Sequence, residues 1–221
     1  MGKMKLVCIA DTHSYHHDVE VPDGDVLIHA GDLTMVGSLH ELLEFNDWME
    51  KQPHNYKIVI AGNHDRALGQ SPMLGYKMLT NCIYLQNSGV ELDGVNFWGS
   101  PYTPAFQGMR SGLTFYTNSD REAKGIWRGV TKKTDVLITH GPPFGKLDKV
   151  KRHDLDQSIT YENVGDQMLM DKVKKVKPKY HIFGHIHEEY GLLQENGTTF
   201  INASVVNAEY NVVNKPIVVK I

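Results

Sequence analysis

Cysteine is scarce, long apolar runs are missing and neither sign of charge dominates; each shortage removes a class of protein. Two cysteines in 221 residues, Cys8 inside an apolar stretch and Cys82 far from it, make neither a disulfide framework nor a thiolate metal site. Both are expected buried, reduced and structural. The first apolar run, residues 6–10, is too short for a signal-peptide core or a bilayer span, so a cytoplasmic protein with no membrane partner is expected. Gly2 opens no myristoylation signal, because the serine or threonine needed at position 6 is Leu6. A formal charge of -3 offers no bulk attraction to nucleic acid and argues against a processive nuclease on long DNA. Repeats, low-complexity tracts and linkers are also missing. With 41% hydrophobic residues, the length suits one α/β domain over residues 1–221.

What is present is a series of short apolar runs at 5–10, 25–30, 57–61, 135–139 and 180–183, which read as strands buried on both faces of a helix-covered sheet. Ser38 with Glu41 is a capping box, and Leu39, Leu42, Phe45 and Met49 follow at helical spacing, so a helix should run to about Gln52, before Pro53. A second helix is expected over 161–177, capped by Thr160, with Leu169, Val173 and Val176 as its buried stripe and Pro178 as its stop. Its lysines read as a solvated face that complements the helix dipole. Asn87-Ser88-Gly89 and Asp93-Gly94 signal hairpin turns, and 188–193, 198–203 and 216–221 look like antiparallel strands with Asn196-Gly197 as a tight turn.

Polar residues follow the five runs in register: Asp11 and His13, Asp32, Asn63 with His64, His140, then His185 and His187. The carboxyl edge of an open α/β sheet is where loops converge on a ligand. Each cluster alone has a bland reading, as a helix start, a turn or a polar loop. Together, oxygen and imidazole groups delivered from several strand ends are what a two-metal hydrolytic site requires.

Asp11-Thr12-His13, Gly31-Asp32, Gly62-Asn63-His64-Asp65, Thr139-His140-Gly141 and Gly184-His185-Ile186-His187 resemble the ordered motifs of the calcineurin-like metallophosphoesterases, over most of the chain. Residues 97–104 and 139–143 further resemble the metallophosphoesterase-domain (MPPED) subgroup, close to the class III cyclic nucleotide phosphodiesterases. The resemblance implies a pair of packed mixed β-sheets flanked by helices. It implies two divalent metals, manganese foremost with iron, zinc, cobalt or nickel as alternatives. Asp11, His13, Asp32 and His187 would hold one, and Asp32, Asn63, His140 and His185 the other, with Asp32 as bridge. A metal-activated hydroxide would attack phosphorus, and His64, assigned to neither metal, would be the general acid, with substrate-phosphate binding as its alternative role. Small phosphodiesters, cyclic nucleotides among them, are the implied substrates, and a homodimer is common in the subgroup. A monoesterase, protein phosphatase or nuclease of the same fold is the alternative; a non-catalytic scaffold fits less well, since His185 stands where some subgroup members carry glycine.

Arg66 is a candidate phosphate partner, with Asp65 beside it, and Trp98, Tyr102 and Phe106 lie in a Gly- and Pro-rich stretch suited to a nucleobase-stacking wall. His16 and His17 read as surface loop residues, His29 as core or as a support behind the ligands, and no spacing marks His40, His54, His153 or His181 as ligands.

Overall fold

The computed structural model describes residues 3–71, 73–105, 112–153 and 158–221, and its strands match the apolar runs to within a residue or two. The amino-terminal half contains β1 (Lys5–Ile9), β2 (Val26–Ala30), α1 (Leu39–Glu50), β3 (Tyr56–Ile60), α2 (Arg66–Gln70), α3 (Leu74–Met78) and β4 (Ile83–Tyr84). Next come β5 (Ser88–Leu92), β6 (Val95–Ser100), β7 (Thr103–Pro104), β8 (Tyr116–Thr117), α4 (Asp120–Trp127), β9 (Val136–Thr139), β10 (Lys149–His153) and β11 (Ile159–Asn163). The chain closes with α5 (Gln167–Val176), β12 (Tyr180–Phe183), β13 (Gly191–Glu195), β14 (Thr198–Asn202) and β15 (Ile217–Lys220).

One sheet has the order β15-β1-β2-β3-β4 and the other β13-β14-β12-β9-β6-β5. Central neighbours are parallel, while β15, β13 and β5 join antiparallel at or near the edges, so both sheets are mixed. Strand alternation explains the layering. Leu6, Cys8, Ile28 and Ile58 of the first sheet meet Phe97, Ile138, Ile182 and Ile201 of the second in a shared apolar layer. The intervening Val7, Ile9, Leu27 and Val59 face Leu42, Phe45 and Met49 of α1. On the far side Leu137, Phe183 and Phe200 pack on Trp127 of α4 and Leu169 and Val173 of α5. The result is the expected pair of packed mixed sheets flanked by helices. No helix among the described residues is long and apolar enough to cross a membrane.

The two sheets are stitched together beside the polar strand ends. Ala10 N–H donates to Ala203 O at 2.8 Å, and Val205 N–H donates to Ala10 O at 3.0 Å. Asp11 N–H donates to Gly31 O at 2.9 Å, and Gly184 N–H to His140 O at 3.0 Å. These bonds fix the ends of strands that are far apart in sequence against one another.

The Ser38–Glu41 capping box forms, but Leu39 is 52% exposed and α1 buries Leu42, Phe45 and Met49 instead. The second helix starts later than expected. Asp166, not Thr160, is its cap, accepting from Met168 N–H at 2.7 Å and Leu169 N–H at 3.0 Å. Residues 159–163 are a strand paired with β10, as β-branched Ile159 and Thr160 favour. Asp93-Gly94 makes the β5–β6 turn with both φ positive, whereas Ser88 and Gly89 already belong to β5. His187–Glu189 is a 3-10 turn, so β13 begins at Gly191.

Candidate metal centre

All five polar clusters sit at carboxyl ends: Asp11 and His13 beyond β1, Asp32 beyond β2, Asn63 beyond β3, His140 beyond β9, and His185 and His187 beyond β12. Four of these residues leave their strands with left-handed backbone, at φ 55° for Asp11, 42° for His13, 53° for Asp32 and 71° for His185. For non-glycine residues this costs on the order of 1 kcal/mol each, and such strain concentrates where side chains must be aimed. A Cβ at Gly184 would collide with the Asp11 carboxylate, and one at Gly62 with the Asp32 carboxylate. Glycine is what lets these acids approach the neighbouring backbone.

Asp32 is central. Its Oδ2 lies 3.6 Å from His13 Nε2 and 3.5 Å from His140 Nε2, while its Oδ1 accepts from His64 N–H at 2.8 Å. Asp11 Oδ1 is 3.9 Å from His187 Nε2, and Asp11 Oδ2 accepts from His185 N–H at 2.9 Å. His13 and His187 bring their Nε2 atoms to 3.4 Å of each other. His140 Nε2 stands 2.8 Å from Asn63 Oδ1, and the His185 ring packs edge-on against His140 at 4.9 Å. Ligand atoms converge within 4.8 Å in three groups: Asp11, His13 and His187; His13, Asp32 and His64; and Asp11, Asp32 and His140. The seven residues expected as ligands are therefore brought together at one strand edge, with His64 within ligand reach as well.

The outer hydrogen bonds set which imidazole nitrogens face inward. A carbonyl can only accept, so Nδ1–H donates from His140 to Ala30 O at 3.1 Å, from His187 to Asn207 O at 3.1 Å and from His64 to Met35 O at 2.8 Å. In the neutral tautomer such a ring presents a bare Nε2, the arrangement that orients metal-binding histidines. At His140 that atom faces the Asn63 carbonyl oxygen and the Asp32 carboxylate, acceptors that need a proton or a metal ion between them.

Charge agrees with this reading. Burial pushes His13 and His185 down to about 3, so both rings are neutral at pH 7. Burial would lower His140 too, but the Asp32 and Asp11 carboxylates and the Ala30 carbonyl raise it to about 9. Burial works against ionised Asp32, yet His140 and His13 beside it hold its carboxyl well below the usual range. Asp11 is raised by burial despite His187 and His140. Without metal the cluster keeps a proton on His140 at neutral pH, which a bound cation would displace. Carboxylate, amide oxygen and imidazole together suit a first-row divalent ion.

A sequence model of the calcineurin-like phosphoesterases matches residues 4–189. The chain belongs to that family. It is 43% identical over 231 residues to UPF0046 protein K07C11.7 of Caenorhabditis elegans, covering 97% of this chain and 74% of the relative. It is 38% identical over 242 residues to human metallophosphoesterase domain-containing protein 1, covering 99% and 71%. Among solved structures, the TT1561 protein of Thermus thermophilus superposes with a TM-score of 0.59 at 11% identity, over 91% of this chain and 89% of that one, which shows the shared fold.

In this calcineurin-like phosphoesterase the polar cluster opens into a cavity of about 360 Å³ lined by Asp32, Asn63, His64, Arg66, Leu113, Tyr116, His185, His187, Glu188, Ala208 and Tyr210. Arg66 is thus one of the residues that line it. Asp65 is fully buried, accepting from Gly62, Leu33 and Thr34, and holds the loop that carries Asn63 and His64. Trp98 is elsewhere: it is 6% exposed and packs on Trp127 at 6.2 Å, away from the cavity lining. Tyr102 packs on Phe115 at 5.6 Å and does not line the cavity either. Phe106 lies outside the described residues. The aromatic wall is Tyr116 and Tyr210, and Tyr210 stands edge-on to His13 at 4.8 Å and to His187 at 5.2 Å. No spacing marked either tyrosine, because both come from irregular or very short segments. Buried His16, expected at the surface, lies under Phe45 and Trp48 of α1. His29 is core as expected, with Nε2 2.9 Å from Thr12 Oγ1.

Proposed function

We propose that this protein is a metal-dependent phosphodiesterase acting on small diesters, with nucleotide esters and cyclic nucleotides the class best suited to the faces of Tyr116 and Tyr210. The residues would hold two divalent cations, one by Asp11, His13, Asp32 and His187 and one by Asp32, Asn63, His140 and His185, and manganese fits this mixture of oxygen and nitrogen donors. Bound there, the cations supply the positive charge that activates water and offsets charge on the phosphoryl oxygens.

The protein's own groups account for the remainder. Asp32 is placed to serve both halves of the cluster, and Asn63 adds an oxygen donor without adding charge. Arg66 is the one permanent cation among the described cavity-lining residues, and Glu188 opposes it. That balance favours a diester, which carries one negative charge, over the more highly charged monoester. The observation carrying the mechanism is the anchoring of His64 Nδ1 on Met35 O at 2.8 Å, with the ring 4.7 Å from that of His13. A ring held this way can only exchange a proton through Nε2, on the cavity side. In its protonated form it donates to the departing alkoxide.

The test compares His64→Ala with the parent, manganese-loaded, on diesters with p-nitrophenol and with an alkyl alcohol as leaving group. Loss of roughly 10²-fold or more on the alkyl ester, with little loss on p-nitrophenol, is expected. Equal losses on both overturn the general-acid role.

A further inference from the structure

A second cavity, of about 220 Å³, shares the side chains of His185 and Glu188 with the first. Its walls are Pro104, Ala105, Val150, Val164 and Ile186, contributed by β7, β10 and the segments beside β11 and β12. Arg152 at its rim is engaged by Glu162, Nε to Oε2 at 2.9 Å across the β10–β11 hairpin. Among the described lining residues the space therefore offers mainly aliphatic surface and no uncommitted cation. An apolar hollow beside a polar reaction centre, separated by one ring, is what a substrate with an ionic middle and an oily end needs.

We propose that this hollow is a specificity subsite for an apolar ester group of the substrate, the one retained on phosphorus through the reaction. The assignment rests on the phosphodiesterase reading above and deepens it. His64 stands with His13 and Tyr210, at 4.7 and 6.2 Å between ring centroids, whereas His185 packs on His140. The alcohol that receives the His64 proton leaves on the His13 and Tyr210 side, and the group beyond His185 stays behind. In the balanced step, water oxygen bonds to phosphorus and gives one proton to solvent. The bond from phosphorus to the leaving oxygen breaks, and that oxygen takes the His64 proton. The product is a monoester still carrying the apolar group.

The experiment holds the leaving group constant and varies the retained one, using p-nitrophenyl methyl, butyl and phenyl phosphates with manganese-loaded protein. Each buried methylene is worth roughly threefold, so kcat/KM should rise about 30-fold from methyl to butyl. Val150→Phe, and independently Ala105→Leu, should flatten the series while leaving the methyl ester unchanged. In parallel, methyl NMR of metal-free protein with diphenyl phosphate should shift Val150 and Ile186 in the parent and leave Ile186 unshifted in Val150→Phe. Equal kcat/KM across the series with unshifted methyls overturns the subsite and leaves the phosphodiesterase reading standing. Shifted methyls with no hydrolysis of any ester support the cavity and overturn that reading.

Discussion

His181 should make the fold sensitive to mild acid. The ring is fully buried between Phe183 at 5.1 Å and Phe200 at 6.0 Å. Thr139 Oγ1 donates to Gly141 O at 2.7 Å, so it must accept from His181 Nε2 at 2.8 Å, and Nδ1 is left as a bare nitrogen without a partner. Protonation would put a charge on that atom inside an apolar layer, and burial accordingly pushes His181 down from 6.5 to about 3. The folded value is depressed and the group is a base, so between pH 3 and 6.5 the unfolded chain binds a proton that the native state refuses. The stability is complete above pH 6.5 and lost as pH falls, at about 1.4 kcal/mol per unit. From pH 7 to pH 5 the loss from this one ring integrates to about 2 kcal/mol. Urea unfolding of the parent and of His181→Gln, both stripped of metal, would be followed by circular dichroism at the two pH values. Other titrating groups contribute equally to both proteins, so the difference isolates His181. Parallel stability losses in the two proteins would refute the argument.

Other consequences are equally direct. Asp32→Ala should abolish tight metal binding measured by elemental analysis, because the carboxylate between His13 and His140 is lost; retention of full metal would show that another residue carries the site. His64→Ala should keep the parental metal content despite the nearness of His64 to His13 and Asp32, and a drop of one ion per chain would make it a ligand instead. Gly184→Ala should displace the Asp11 carboxylate and weaken metal binding at least tenfold by titration, with unfolding still cooperative. Asp166→Ala removes the α5 cap and also orphans the buried Trp127 Nε1, which donates to Asp166 Oδ2 at 2.7 Å, so a loss of about 2 to 3 kcal/mol is expected in urea melts.

Local signals gave the parts whose cause is local. Ser38 and Glu41 announce α1 because a cap satisfies backbone donors within its own turn. Ser119 and Glu122 begin α4 with the same spacing, and Ser119 Oγ accepts from Glu122 N–H at 3.3 Å, but α4 is only eight residues long and interrupted by Gly125, so no apolar stripe draws attention to it. Thr160 misled because a hydroxyl before a helical pattern is weaker evidence than Asp166, whose carboxylate can serve two donors at once. Trp98 sits in a loop-like, glycine-rich context in the sequence, yet it lies on β6 and faces α4, so strand alternation decides its burial.

The sequence by itself determined the layered α/β architecture, through apolar runs whose alternate residues supply two faces, and it determined the ligand types, because each follows its strand directly. Only the tertiary structure decided how those types meet: that Asp32 stands between His13 and His140, that backbone carbonyls of other segments turn the Nε2 atoms of His64, His140 and His187 inward, and that Tyr210 rather than Trp98 borders the site. Chemistry at a position is written in one residue, whereas orientation depends on hydrogen bonds and packing between segments from 20 to 174 residues apart.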